Sequence, residues 1–110
     1  MHRVQGYSVS GTATIAINTA ESTAIDLKGY AQAGFILPAA FTGATVSFKV
    51  SADGDTYGAL YDAANALISI TVTQARAYAF PIAVFPFRFV TILSASNETA
   101  ARSIIIASKY

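Results

Sequence analysis

Residues 45–51 read Thr-Val-Ser-Phe-Lys-Val-Ser and show the clearest structural pattern in the chain. Every second residue from Val46 to Val50 is apolar and its neighbours are polar, as expected of a β-strand with one buried face. Asp53-Gly54 follows closely and suits a tight turn, because both residue types tolerate a positive φ. The stretch therefore predicts a strand that ends at a hairpin turn.

The same period of two recurs on both sides of this strand. Further strands are predicted at residues 8–17, 24–28, 32–37, 56–62, 67–73, 76–80, 87–94 and 102–108. About nine short strands separated by turn residues predict an all-β protein, an antiparallel β-sandwich, with a jelly roll as one arrangement that fits. A helical turn fits at residues 62–66, and a short helix fits near residues 38–41 or 82–85. We assign residues 8–110 to a single β-sandwich domain and residues 1–7 to a flexible N-terminal arm.

The composition is unusually apolar for a short chain. Of the 110 residues, 54% are hydrophobic and 12% are charged, whereas an average soluble domain has about 25% charged residues. A small domain also has a large surface for its volume. Apolar surface that remains uncovered usually marks an interface, so the sequence predicts that the protein belongs to an assembly.

Charge and cysteine content argue against several classes of protein. The formal net charge is +1, and the seven basic residues are scattered rather than clustered, which argues against nucleic-acid binding. No apolar run approaches the roughly 20 residues of a membrane-spanning helix. There is no cysteine for a disulfide or a thiolate zinc site. No secretory signal is apparent, which predicts synthesis in the cytoplasm.

Two stretches depart from the alternation. Residues 78–87 are aromatic or apolar on both faces of any strand, and their two prolines prevent continuous pairing. This segment is either a plug in the core or an exposed contact for a neighbouring subunit, made by Tyr78, Phe80, Phe85 and Phe87. The run Ile104-Ile105-Ile106 is apolar on both faces, so Ile105 lies either at a buried centre or against another chain.

Few residues suggest catalysis. His2 is the sole histidine and lies in the predicted arm, where nothing would hold it as a base. Asp53, Asp55 and Asp62 fall in predicted turns, where aspartate commonly bonds the local backbone, and a calcium loop would need more acids. Asn97-Glu98-Thr99 matches a glycosylation triplet but would need a secretory route. We predict no enzymatic activity, no cofactor and no metal site.

Tyrosine supports one alternative function. The chain has six tyrosines and no tryptophan. Tyr57, Tyr61 and Tyr78 lie in or near predicted strands. Their position fits two interpretations, a sugar-binding face made by the rings, or half-buried rings with the hydroxyl in solvent. A carbohydrate-binding module therefore remains an alternative.

Three segments together resemble a known class of protein. Residues 48–57 with Leu60-Tyr61-Asp62, and the later residues 87–92 and 102–106, resemble small β-sandwich virion proteins of tailed bacteriophages over residues 33–108. The resemblance implies a non-enzymatic virion protein, either a head decoration (cement) protein or a tail-associated one. It implies a homo-oligomer, most often a trimer, bound to the major capsid protein or another virion protein, and residues 1–5 that order on docking. A similar hairpin occurs in discoidin-like carbohydrate-binding sandwiches, which are usually longer and commonly contain tryptophan.

Overall fold

The computed structural model describes residues 8–28, 30 and 32–109. The predicted arm, residues 1–7 with His2, lies outside the described residues. The strands are β1 (Ser8–Ile15), β2 (Ile25–Asp26), β3 (Gln32–Ile36), β4 (Thr45–Ser51), β5 (Gly58–Ala59), β6 (Ser69–Thr71), β7 (Ala77–Ala79), β8 (Phe89–Ser94) and β9 (Arg102–Lys109). The all-β prediction and the nine strands are confirmed. In the described part of the chain, no helix is long and apolar enough to span a membrane.

The strands form two antiparallel sheets. Sheet I has the order β1-β9-β3-β7, and sheet II has the order β2-β8-β4-β5, with β6 also paired to β4. Strands β5 and β6 pair with opposite ends of β4, since Lys49 faces Ala59 and Thr45 faces Thr71. When β5 and β6 are counted as one interrupted strand, each sheet has four strands in the order of a jelly roll.

The core lies between the inner faces of the two sheets. Strand β9 alternates strictly between buried and exposed residues along its eight positions. Four aromatic rings pack together between the sheets: Phe35, Phe48, Tyr78 and Phe80. The centroid of the Phe35 ring lies 5.2 Å from that of Phe80, 5.8 Å from that of Tyr78 and 6.2 Å from that of Phe48. Such tilted and edge-on pairs add about 0.5–1.5 kcal/mol each beyond the burial of their area.

The proline-containing segment after β7 crosses one end of the sandwich. It holds a 3₁₀ turn, η1 (Ile82–Val84), which confirms the helical turn predicted near residues 82–85. At the predicted position near residues 38–41, Phe41 N–H donates to the Pro38 carbonyl at 3.2 Å in a simple turn. Within the crossing segment Phe80 is 4% exposed, whereas Ile82 is 88% exposed.

A buried carboxylate joins two loops that are distant in sequence. Glu98 is fully buried, and its side chain accepts hydrogen bonds from Arg102 Nε at 2.8 Å and Ser94 Oγ at 2.9 Å. The backbone N–H groups of Thr42 and Gly43 donate to the same carboxylate at 3.1 and 3.2 Å. The loop before β9 is therefore bonded to the loop before β4.

The backbone of Glu98 makes a third connection. Its N–H donates to the Thr19 carbonyl and its carbonyl accepts from Asn18 N–H, both at 2.8 Å. Burial by itself raises the pKa of Glu98, but the hydrogen bonds from Arg102, Ser94 and Thr42 outweigh it and hold the pKa below its ordinary value. The sequence predicted this residue only as the middle of a glycosylation triplet.

Two glycines of sheet I should respond oppositely to an added methyl group. At Gly34 a Cβ would lie 2.7 Å from the Tyr78 carbonyl oxygen on the neighbouring strand, whereas at Gly11 nothing lies within 4 Å. We expect Gly34→Ala to lower the free energy of unfolding by about 1–3 kcal/mol, because backbone must move. Gly11→Ala should raise it by about 0.5 kcal/mol, because the unfolded chain loses freedom. Urea denaturation of both variants measures the difference, and equal effects would contradict the register of β3 and β7.

Candidate functional site

The outer face of sheet I contains a contiguous apolar area. Six outward residues on three adjacent strands form it, and we call this set the platform: Gly34, Ile36, Ala77, Ala79, Ile105 and Ala107. Polar outward residues border it, namely Gln32, Ser103 and Lys109 on the same strands and Ser10 and Thr12 on β1. The register places these residues in two rows across the sheet. Ile36 lies between Ile105 and Ala77, and Gly34 lies between Ala107 and Ala79.

The platform is exposed and slightly concave. Ile36 is 39% exposed and Ile105 is 48% exposed. The small residues around Gly34 leave a depression of about 370 Å³, with Gln32 and Lys109 at its polar end. No platform side chain is charged or can form a hydrogen bond. An antiparallel sheet that faces water normally presents polar residues, so this face has the character of a contact surface.

The apolar surface continues around the end of β7. A second depression of about 560 Å³ lies between Ala33, Ala79, Ile82 and Phe85. It shares Ala33 and Ala79 with the first depression. Ile82, the most exposed large apolar side chain of the described residues, projects beside it.

The outer face of sheet II is more polar, although Phe89 and Leu93 also lie on it. Glu21 lies against two of its outward residues, with Lys49 Nζ 3.6 Å from Oε1 and Thr91 Oγ1 donating to Oε2 at 2.9 Å. At the β2 edge, Arg88 makes two 3.0 Å hydrogen bonds to the Asp26 carboxylate. The two outer faces of the sandwich thus differ in polarity, and the outer face of sheet II is the one that is suited to solvent.

The residues predicted as an interface fall into two groups. Ile105 lies on the platform. Phe80 belongs to the core, and Phe85 and Phe87 are partly buried against it. The Tyr78 ring lies 5.8 Å from that of Phe35, and its hydroxyl accepts from Thr73 N–H at 2.7 Å.

Sequence reasoning missed two exposed apolar residues in or beside the platform, Ile36 and Ile82; Ile17 and Leu67 are exposed elsewhere. Ile36 has the same parity in β3 as Gln32 and Gly34 and the opposite parity to buried Phe35. That alternation was the available signal for an outward isoleucine. Ile82 had no such signal, because the prolines on either side interrupt the period.

The acidic residues near the turns stabilise their own backbone. Asp53 accepts from the N–H groups of Asp55 at 2.9 Å and Thr56 at 3.0 Å, and these hydrogen bonds hold its pKa below the ordinary value. Asp62 accepts from two N–H groups of its own turn, at 2.9 Å each. In residues 8–28, 30 and 32–109, no three His, Cys, Asp or Glu side chains are placed to hold a metal ion.

One exposed tyrosine lies beside a cleft. Tyr61 is 52% exposed and borders a cleft of about 450 Å³ together with Thr56, Leu60 and Phe87. Tyr57, the other tyrosine predicted for this hairpin, is half-buried. The structure thus brings one exposed ring, rather than a row of rings, to this end of sheet II.

Comparison with known proteins yields structural similarity alone. No protein-family model matches the chain, and no curated protein sequence matches it. The crystal structure of the SPBc2 prophage-derived protein YomS aligns with a TM-score of 0.60 and 13% identity, over 99% of this chain and 100% of that one. The cupin domain of Schizosaccharomyces pombe Cnp3 aligns at 0.47 and 10% identity, over 99% of this chain and 56% of that one. A chain of the disulfide-linked pili of Bacillus endospore appendages aligns at 0.40 and 22% identity, over 99% and 94%. The first alignment shows that a prophage-derived protein has the same overall fold as this chain.

Proposed function

We propose that this protein is a non-enzymatic virion structural protein, a decoration or cement protein that binds a phage head lattice through the platform. The observation that carries the proposal is the difference between the two outer faces of the sandwich. Sheet II presents ion pairs and hydroxyl groups, whereas sheet I presents, within a border of polar residues, six contiguous uncharged small or aliphatic residues. The prophage origin of a protein with a similar fold supports a phage setting.

The platform suits contact with another flat protein surface. Glycine and alanine in its centre permit close approach, and Ile36 and Ile105 supply the apolar area to be buried. Facing sheets pack about 10 Å apart when their side chains interdigitate. A single contact of this size is weak, but copies joined to one another would bind several lattice subunits at once and gain through effective concentration.

A charge placed on the platform should weaken binding without unfolding the protein. We expect Ile105→Lys to weaken binding to heads of the encoding phage at least tenfold, because the contact would bury an unpaired ammonium group. Co-sedimentation of purified protein with heads that lack it measures the bound fraction. The matched control is Ser47→Lys on the outer face of sheet II, which should bind normally. Equal binding by wild type and Ile105→Lys would contradict the proposal, as would heads whose heat resistance does not rise on binding.

Tyr61 favours a second candidate, a tail-associated or carbohydrate-binding module. Its exposed ring beside the cleft is the one feature that suits stacking on a sugar. Glycan binding by the wild-type protein that Tyr61→Ala abolishes, combined with failure to bind heads, would favour this function over head decoration.

A further inference from the structure

Strand β1 is a long edge strand without protection. It has eight residues and pairs along its whole length with β9 on one side, whereas on the other side only Thr14 and Ile15, at its end, have partners, Thr23 and Ser22. Neither a proline nor a charged residue occurs between Arg3 and Glu21. Natural proteins usually blunt exposed edges with short strands, prolines or charges, because an open edge can pair with another chain.

The hydrogen bonds of Thr14 show which backbone groups of β1 point outward. Thr14 N–H donates to Thr23 Oγ1 at 3.1 Å, and its carbonyl accepts from Thr23 N–H at 2.9 Å. Thr14 therefore directs its backbone groups away from β9. Because these directions alternate along an antiparallel strand, Thr12 and Ser10 also direct theirs outward. No described residue bonds to the outward groups of Thr12 and Ser10.

The other sheet edges offer fewer backbone groups for pairing. Strand β7 has three residues and is followed closely by Pro81, which has no N–H. In sheet II, β2 and β5 have two residues each and β6 has three. Among the described strands, β1 is therefore the edge with room for several backbone hydrogen bonds.

We propose that β1 pairs antiparallel with β1 of a second copy, about a twofold axis that passes beside Ser10. The outward groups fall on alternate residues 8, 10 and 12, so this register is self-complementary. Ser10 faces Ser10 of the partner subunit, and Thr12 faces Ser8 of the partner subunit. Each facing pair exchanges both of its N–H···O bonds, and the two copies of sheet I become one eight-stranded sheet.

This pairing places both platforms on the same side. A twofold axis between antiparallel strands of one sheet is perpendicular to that sheet, so equivalent outer faces point in one direction. The pairing itself does not depend on the proposed function, but it would supply the joined copies that multivalent lattice binding needs. It predicts a dimer, whereas the phage resemblance implies a trimer. A strand pair buries less area than a standard interface, so we expect dissociation constants on the order of micromolar or weaker.

A cysteine at the twofold axis tests the register. The natural chain has no cysteine, so Ser10→Cys introduces the sole thiol. Facing Cα atoms in a hydrogen-bonded antiparallel pair are about 5.5 Å apart, within the range of about 4.4–6.8 Å that a disulfide spans. We expect mild oxidation of the full chain to convert most of Ser10→Cys to a disulfide-linked dimer, seen on a non-reducing gel.

Two further cysteine variants are matched controls. In the proposed register, two copies of Thr14→Cys would lie eight residues apart, about 27 Å, and should remain monomeric under the same oxidation. Ala79→Cys reports on the competing β7 edge and should also remain monomeric. Cross-linking of Ser10→Cys that does not exceed that of Thr14→Cys, or cross-linking of Ala79→Cys instead, would overturn the proposal.

A proline variant tests the pairing without a covalent bond. Thr12→Pro removes an N–H that β1 does not use in its own sheet, so the fold should be retained while the partner loses a donor. Light scattering should show wild type approaching twice the 11.5 kDa chain mass at high concentration and Thr12→Pro remaining a monomer. A wild-type trimer, or a wild-type monomer at every concentration, would overturn the pairing. Either result leaves the platform test with Ile105→Lys unaffected, since Ile105 lies on a different strand.

Discussion

Replacement of Glu98 by alanine is expected to lower the free energy of unfolding by about 3–5 kcal/mol. The substitution would leave the Arg102 guanidinium, whose side chain is 10% exposed, without its ion-pair partner. It would also remove the acceptor for the backbone N–H groups of Thr42 and Gly43. Urea denaturation followed by circular dichroism measures the loss. The control is Asn97→Ala, an exposed neighbour in the same loop, which should change stability by less than about 0.5 kcal/mol.

The same residue sets a pH dependence. Because the pKa of Glu98 is lower in the folded protein than its ordinary value of 4.5, its stabilising contribution is fully present above pH 4.5. As the pH falls through the folded-state pKa, protonation removes that contribution and stability declines. Glu98→Gln should flatten this part of the stability profile. Parallel profiles for wild type and Glu98→Gln below pH 4.5 would show that the carboxylate is not the group responsible.

Replacement of Phe80 by alanine should be comparably severe, with a loss of about 3–5 kcal/mol. Its ring lies 5.2 Å from Phe35 and 5.6 Å from Phe48 between centroids, so truncation would open a cavity between both sheets. Ile82→Ala, two residues further on, removes an 88% exposed side chain and should cost less than about 0.5 kcal/mol. Thermal unfolding of the two variants compares them directly. Similar losses of stability in the two variants would contradict a crossing segment in which Phe80 is buried and Ile82 is exposed.

The local sequence pattern was sufficient to predict strands whose two faces differ in polarity. Strand β4 was predicted at its observed bounds, Thr45–Ser51, because its alternation is unbroken. The strand predicted at residues 56–62 is reduced to Gly58–Ala59. Asp53 accepts from Thr56 N–H, so the turn before the strand occupies an N–H group that a longer ladder would need, and Asp62 begins the next turn by accepting from Ala64 N–H.

Features that depend on distant residues were not predictable from the sequence. The carboxylate of Glu98 bonds Thr42, 56 residues away in the chain, and no local pattern encodes that contact. In the crossing segment the prolines break the alternation. Phe80 and Ile82 would share one face of a continuous strand, yet Phe80 is buried and Ile82 is exposed. Only one of the two isoleucines of the platform was identified from the sequence. Ile105 was singled out as a residue that could lie against another chain, but its neighbour Ile36 on β3 was not.

The pairing of β1 with β9 has a consequence for synthesis. The register joins Ser8 to Lys109 and Ile15 to Arg102, so β1 cannot pair with β9 until the strands between them have been synthesised. At about 5–20 residues per second, roughly 5 to 20 seconds pass in which residues 8–13 of β1 lack their partner strand. Pairings this distant in sequence also form slowly once the chain is free. The entropic cost of closing the long loop between the strands must be met before their contacts can stabilise the structure. The yield of folded protein in the cell should therefore depend on how often nascent copies of the uncharged β1 meet one another before β9 arrives.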